Sequence, residues 1–122
     1  MFNDRSPIYR QIAEQIKGDI LSGTLVEDEQ VMSTNQYAAF YRINPATAAK
    51  AFQQLETEGI LYKKRGIGMF VSPNARAMLL TQHRERFFSE VIDPMVAEAR
   101  ACEIPLEEII DRLRQLANEG RR

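Results

Sequence analysis

The stretch from Gln36 to Val71 constrains the fold more than any other part of the chain. It contains a short helical pattern, a tight turn and a second helical pattern that opens with Asn44-Pro45-Ala46-Thr47. Leu61 to Val71 then reads as two short strands around a basic, glycine-containing hairpin. This order predicts a winged helix-turn-helix, which offers duplex DNA a helix for the major groove and a positively charged hairpin for the flanking phosphates.

Composition excludes several classes of protein. The chain has 122 residues, of which 44% are hydrophobic and 27% are charged, as expected for soluble globular material with one core. No apolar run approaches the roughly 20 residues of a membrane span, and the N-terminal residues lack the order of a signal peptide, so we expect a cytoplasmic protein without a membrane partner. One Cys102 and one His83 cannot form an internal disulfide or a structural zinc site, and no metal or cofactor is expected.

Positive charge is concentrated where the pattern predicts contact with DNA. The formal net charge is -1, yet the segment from residue 42 to residue 65 contains five basic residues and only two acidic ones, both glutamates. The basic residues are Arg42, Lys50, Lys63, Lys64 and Arg65. Phosphate binding needs positive charge at the contact surface and does not need a net positive charge on the whole chain. Double-stranded DNA therefore remains the predicted partner.

Capping signals predict the helices of the first half. Ser6 as N-cap and Pro7 at the first helical position start helix one, and Gly23 ends it. Its predicted buried stripe is Ile8, Ile12, Ala13, Ile16 and Ile20, and its predicted solvent face is Arg10, Glu14, Gln15 and Lys17. After a very short strand at Val31, the capping box of Ser33 and Gln36 predicts helix two from about residue 34 to 40. Its inward residues are predicted to be Tyr37, Ala38 and either Phe40 or Tyr41.

The third helix is predicted to enter the major groove. Asn44 caps it, Pro45 occupies its first position, and its N-terminus should direct free N–H groups and the positive dipole end towards phosphate. Its packed face is predicted to be Ala48, Ala51, Phe52 and Leu55, which leaves Ala46, Ala49, Lys50, Gln53 and Gln54 outside, with Thr47 near the boundary. The small alanines allow close approach, and Lys50 and Gln53 are long enough to reach base edges.

A basic hairpin follows the third helix. The strands are predicted at 60–62 and 69–71, with a wing from Lys63 to Gly68 between them. Arg65 at its tip suits a minor groove, where guanidinium is favoured by the concentrated negative potential. The DNA-contact residues predicted from this pattern are Arg42, Asn44, Ala46, Thr47, Lys50, Gln53, Lys64, Arg65 and Gly66. The alternatives left open are that Asn44 is only a cap, Lys50 only a solvated charge, and the hairpin an ordinary basic turn.

The sequence after Ser72-Pro73-Asn74 predicts a dimerisation domain. Ser72-Pro73-Asn74 marks a boundary between a winged helix-turn-helix domain at 1–73 and a two-helix domain at 74–122. The helices are predicted from 75 to about 101, with a kink or break near 90–93 caused by Pro94, and from 106 to 117. Two helices cannot enclose their own apolar surface, so a homodimer is expected. The predicted interface residues are Leu80, Phe87, Phe88, Val91, Ile92, Met95, Ile109, Ile110 and Leu113.

Catalysis finds little support in the sequence. The acidic pairs of the last helices lie beside arginines and are explained as solvated ion pairs, and His83 has no partner at motif spacing. No enzyme is therefore expected. The alternative functions are a winged helix used only for protein contacts, and a sensor whose tail binds an unidentified small-molecule effector, for which a cavity at Phe87-Phe88 is conceivable.

Four stretches of the sequence resemble the GntR-type bacterial transcription regulators, and within them the short YtrA-like subgroup. They are 7–13, 20–25, 54–61 and 65–71. The resemblance implies a dimer that binds a palindromic operator, usually as a repressor and frequently of a transporter operon. Many members of the family bind effectors in large C-terminal domains, for which this tail is too short.

Three departures from the family pattern bear on DNA binding. The family commonly has Leu-Pro-Ser and, after one more residue, an arginine that contacts DNA; here the serine is Ser33 and the arginine position is Asn35. A usual loop glycine is Asp28, and many relatives have arginines at the positions of Pro45 and Ala49. The resemblance thus adds Ser33 and Asn35 to the predicted contacts and implies that Lys50, Lys64 and Arg65 carry a greater share of the phosphate binding.

Overall fold

The computed structural model describes residues 2–120, and its order of elements confirms the predicted mainly helical fold with a two-stranded hairpin. The elements are α1 (Ile8–Ser22), α2 (Thr34–Tyr41), α3 (Pro45–Thr57), β1 (Leu61–Lys64), β2 (Gly68–Val71), α4 (Ala75–Phe87), a π-helical segment (Phe88–Ile92), α5 (Asp93–Ala101) and α6 (Leu106–Glu119). The chain forms two compact units that divide between Thr81 and Gln82.

The start of α1 differs by one residue from the prediction. Pro7 and not Ser6 is the N-cap, because the ψ of Pro7 is 140° and its backbone is still extended. Gln11 organises the preceding segment, since its side-chain amide donates to the carbonyl oxygens of Asn3 and Ser6 at 2.7 and 2.8 Å. Ile8 is 38% exposed, so the buried stripe begins one turn later, at Ile12.

Lys17 was predicted to face solvent, and this prediction is wrong. The residue is only 6% exposed. Its Nζ lies 3.2 Å from Oε1 of Glu58 and 3.6 Å from Oε1 of Glu14, so the ammonium group is paired where its aliphatic stem is buried. Glu58 follows α3, and periodicity within α1 could not reveal this partner.

The capping box of α2 is confirmed in both directions. The N–H of Gln36 donates to Oγ of Ser33 at 3.1 Å, and the N–H of Ser33 donates to Oε1 of Gln36 at 3.0 Å. Tyr41 is the inward aromatic residue, since Phe40 is 67% exposed. The Tyr37 hydroxyl donates to the side chain of Gln15, and burial raises the pKa of Tyr37.

The hairpin is antiparallel, with Leu61 opposite Val71 and Lys64 opposite Gly68. Both strands extend further towards the turn than predicted, so Lys63 and Lys64 belong to β1 and not to the loop. An isolated β-bridge between Gln30 and Phe70 joins the loop between α1 and α2 to this sheet. The bridge lies one residue before the strand predicted at Val31.

The first turns of α4 belong to the core of the winged helix. Ala75 and Leu79 are fully buried in one cluster with residues of α1, α3 and the hairpin. The first compact unit therefore extends beyond the boundary predicted at residue 73, as far as Thr81. Arg76 adds a polar contact in this unit, because its Nε donates to the carbonyl oxygen of Leu21 at 3.3 Å.

The second unit is helical and mostly exposed. The helix is not broken near Pro94: α4 continues into α5 through the π-helical segment Phe88–Ile92, in which the N–H of Asp93 donates to the carbonyl oxygen of Phe88. Because proline has no N–H to donate, a local change in the hydrogen-bond pattern of the helix is expected at this point. Among residues 82–120 only Ala99 is buried, and α6 contains no buried residue.

Candidate nucleic-acid interface

The start of α3 is fixed by its own cap. Oδ1 of Asn44 accepts the N–H of Ala46 at 2.8 Å, and the carbonyl oxygen of Asn44 accepts the N–H groups of Thr47 and Ala48. Pro45 occupies the first helical position and has no N–H to offer. The expectation of free backbone N–H groups at this end is therefore wrong, because the amides of the first turn already have acceptors within the chain.

The outer face of α3 consists of small and polar side chains. The apolar residues are turned inward, and each is at most 3% exposed: Ala48, Ala51, Phe52 and Leu55. The opposite side exposes Ala46, Ala49, Lys50 and Gln53, whereas Thr47 and Gln54 are half-buried. Its small side chains allow the helix to approach the bases closely, and its longer polar side chains can contact base edges, as entry of a helix into a major groove requires.

Lys50 lies against α1. Its Nζ is 4.1 Å from the ring centroid of Tyr9, and Nε of Arg10 donates to the Tyr9 hydroxyl at 3.3 Å. This hydrogen bond from Arg10 lowers the pKa of Tyr9. The structure thus gathers two cations and a phenol from α1 and α3, a cluster that sequence reasoning missed because no pattern within either helix links these positions.

The turn between α2 and α3 exposes one further cation. Arg42 has a φ of 55°, in the left-handed region that few residues other than glycine adopt, and its N–H donates to the carbonyl oxygen of Ala38. The N–H of Ile43 donates to the same oxygen at 3.0 Å, which closes the turn. The position of Arg42 is therefore set by backbone geometry.

The wing is a tight turn with an ordered tip. The N–H of Ile67 donates to the carbonyl oxygen of Lys64 at 2.9 Å, and the φ of Gly66 is 78°, which the third position of a type II turn needs. Nζ of Lys64 lies 4.5 Å from the ring centroid of Phe70, so this cation stays close to the sheet. Arg65 is exposed at the tip.

The predicted contact residues all lie in the unit that ends at Thr81. All except the half-buried Thr47 are exposed. Within residues 2–120, no three His, Cys, Asp or Glu side chains are grouped to hold a metal ion, and no helix has the length and apolarity to cross a membrane.

The sequence from Ile8 to Val71 matches the family described as bacterial regulatory proteins, gntR family. The chain belongs to this family. The matched region runs from the first residue of α1 to the last residue of β2, which is the whole winged helix. The resemblance inferred from the sequence is thereby confirmed, and the chain is a transcription regulator and not an enzyme.

Relatives of this GntR-family protein are similar over different parts of their length. The HTH-type transcriptional repressor YtrA of Bacillus subtilis is 29% identical over 112 residues, which cover 92% of this chain and 85% of YtrA. A GntR family transcriptional regulator from Listeria monocytogenes has a similar structure, with a TM-score of 0.72, 27% identity and coverage of 93% and 98%. The DNA-binding domain of AraR in complex with operator ORX1 matches 59% of this chain and 93% of that domain, with a TM-score of 0.55 and 27% identity.

One of the departures from the GntR pattern has a visible structural basis. Asp28 stands where a glycine is usual and adopts a φ of 64°, and its Oδ1 accepts the Tyr62 hydroxyl at 2.7 Å. This hydrogen bond raises the pKa of Tyr62. Asn35 is exposed in the first turn of α2, whereas the Ser33 hydroxyl is engaged in the cap of that helix.

Proposed function

We propose that this GntR-family protein is a homodimeric repressor of a palindromic operator and acts in the cytoplasm. The observation that carries the proposal is the combination, in one compact unit, of a capped α3 with an open polar face and a hairpin with cations near its turn. In this model α3 enters the major groove and Arg65 enters the flanking minor groove. The proposed contact residues are Ser33, Asn35, Arg42, Asn44, Ala46, Thr47, Lys50, Gln53, Lys64, Arg65 and Gly66.

Dimerisation is proposed from the exposed apolar side chains of the second unit. Phe87, Phe88 and Leu113 are each at least half exposed. Beside Leu113 lies an apolar groove of about 380 Å³, lined by residues of α5 and α6 and by Ile104 between them. Exposed apolar surface of this kind marks an interaction site. The proposed interface residues are Leu80, near the end of the first unit, and eight residues of the second unit: Phe87, Phe88, Val91, Ile92, Met95, Ile109, Ile110 and Leu113.

Symmetry then constrains the operator. Two copies related by a two-fold axis would place their α3 helices about 34 Å apart, one turn of duplex, or at a close multiple. The name of YtrA supports repression, and the AraR complex supports operator binding by a winged helix of this kind. Control of a transporter operon is proposed from the resemblance to the YtrA-like subgroup.

Arg65→Ala is expected to weaken binding to the preferred DNA sequence and to nonspecific DNA alike. Gln53→Ala should reduce the preference for one sequence more than it reduces affinity. The reason is that a guanidinium group responds to backbone charge, while an amide reads base edges. Fluorescence anisotropy at several salt concentrations should give a slope of log affinity against log salt of about -5 to -7 for wild type, from about 0.9 per phosphate and roughly three to four phosphates per subunit. The slope should be shallower in Arg65→Ala.

Arg114→Ala is the matched control, since it removes one exposed cation from α6. It should bind like wild type. The probe is the 30-bp duplex most enriched when wild-type protein selects from a random-sequence library. If no sequence is enriched, a winged helix that contacts only proteins becomes the better account. If both Arg65→Ala and Gln53→Ala bind unchanged, the docking model is wrong.

A further inference from the structure

Ile67 is an apolar residue at the tip of the wing that no role assigned so far explains. Its side chain is 63% exposed. It is also absent from the set of apolar residues that pack on the core of the first unit. Single exposed apolar side chains are common, so exposure by itself indicates nothing. The surroundings of Ile67 distinguish it.

The backbone of Ile67 is held on both sides. Its N–H donates to the carbonyl oxygen of Lys64 at 2.9 Å, and its own carbonyl oxygen accepts Nε2 of Gln30 at 3.1 Å. Gln30 belongs to the loop before α2 and is tied to the sheet by its bridge to Phe70. The tip is thus fastened from a second element and does not depend on the hairpin alone.

Gly68 makes room for this fastening. A Cβ atom at this position would lie 2.7 Å from Nε2 of Gln30, so the Gln30 amide would have to move away, and the φ of Gly68 is 148°, which side chains rarely adopt. The absence of a side chain at Gly68 therefore allows the amide of Gln30 to reach the carbonyl of Ile67. The result is a β-branched side chain with few rotamers, presented at a fixed place next to Arg65.

We propose that Ile67 is a DNA-contacting residue of the wing, which enters the minor groove beside Arg65 and packs on the deoxyribose walls and the edge of a base step. Minor-groove proteins combine cations with apolar wedges in this way, and flexible pyrimidine–purine steps accept such a wedge at the lowest cost. Gln30 is the positioning residue for this contact. The inference rests on the proposed function, because it requires a wing that binds DNA.

The test compares Ile67→Ser and Ile67→Leu in the full chain, with the selected 30-bp duplex as probe. Ile67→Ser should lower affinity about five- to twentyfold through loss of apolar contact, and the salt slope should stay that of wild type. Ile67→Leu, which keeps an apolar side chain of equal size, should bind within about threefold of wild type. An unchanged slope separates this effect from loss of a cation such as Arg65.

Gln30→Ala tests the positioning role. Alone it should lower affinity several-fold, but in the Ile67→Ser background it should add little, because the contact that it positions is already gone. Val26→Ser is the control for Ile67→Ser, since Val26 is 56% exposed in the loop after α1. Its affinity should remain that of wild type.

Three results would contradict the inference in distinguishable ways. If wild type selects a sequence and Ile67→Ser binds it within twofold of wild type, Ile67 makes no energetic contact and only this inference fails. If the effects of Gln30→Ala and Ile67→Ser are fully additive, Gln30 does not act through Ile67. If wild type selects no sequence at all, the proposed function fails, and the inference with it.

Discussion

Leu113→Asp should convert the protein from dimer to monomer and lower its affinity for the selected duplex by about a hundredfold or more. Leu113 is 51% exposed within its own chain, so a carboxylate there remains solvated in the monomer and costs little folding stability. In the proposed dimer the same carboxylate would lose water at an apolar interface, which is strongly unfavourable. Loss of the second recognition helix removes the gain from bivalent binding, which is typically 10² to 10⁴.

Sedimentation velocity and fluorescence anisotropy on the same samples would measure both effects. Gln115→Asp is the matched control, because it adds the same charge at an exposed polar position of α6 outside the apolar groove. It should remain dimeric and bind normally. A dimeric Leu113→Asp protein that retains full affinity would show that the second unit does not form the interface.

Leu79→Ala should lower the free energy of unfolding by about 2–5 kcal/mol, the range found for large cavities in well-packed cores. Leu79 is fully buried in the cluster that also contains Ile12, Leu55 and Val71. Urea denaturation at one fixed protein concentration would measure the loss. The expected size is a large part of the stability of a small domain.

Ile8→Ala provides the comparison for Leu79→Ala. Ile8 is 38% exposed at the start of α1, so its truncation should cost less than about 1 kcal/mol. Similar losses in the two variants would mean that the first turns of α4 do not stabilise the winged helix. The domain boundary predicted at residue 73 would then describe the folding unit better than the division at Thr81.

Local signals allowed the winged helix to be predicted closely. The caps at Ser33 and Asn44 depend on residues two or three positions away, and the structure contains both hydrogen-bonded caps. The wing turn is equally local, since Gly66 supplies the positive φ that its type of turn requires. Features fixed by neighbouring residues can be inferred from one sequence.

Three further errors concern contacts between residues that are distant in the chain. Lys17 was assigned to the solvent face of α1 because its partner Glu58 lies beyond α3. Tyr9 received no role because the lysine over its ring belongs to another helix. Leu79 follows the boundary at Ser72-Pro73-Asn74, so nothing in the sequence indicates that it completes the core of the first unit. Each of these depends on how helices pack, and helical periodicity identifies a buried face without identifying its partner.

The cap of α3 has a consequence for how such a regulator could change its target. Because Asn44 already satisfies the opening amides, base preference in the proposed complex depends on exposed side chains such as Lys50 and Gln53, neither of which supports the core. Exchange of these side chains would leave folding almost untouched. A duplicated gene could therefore drift to a new promoter through a few surface substitutions, while the scaffold that presents them stays the same.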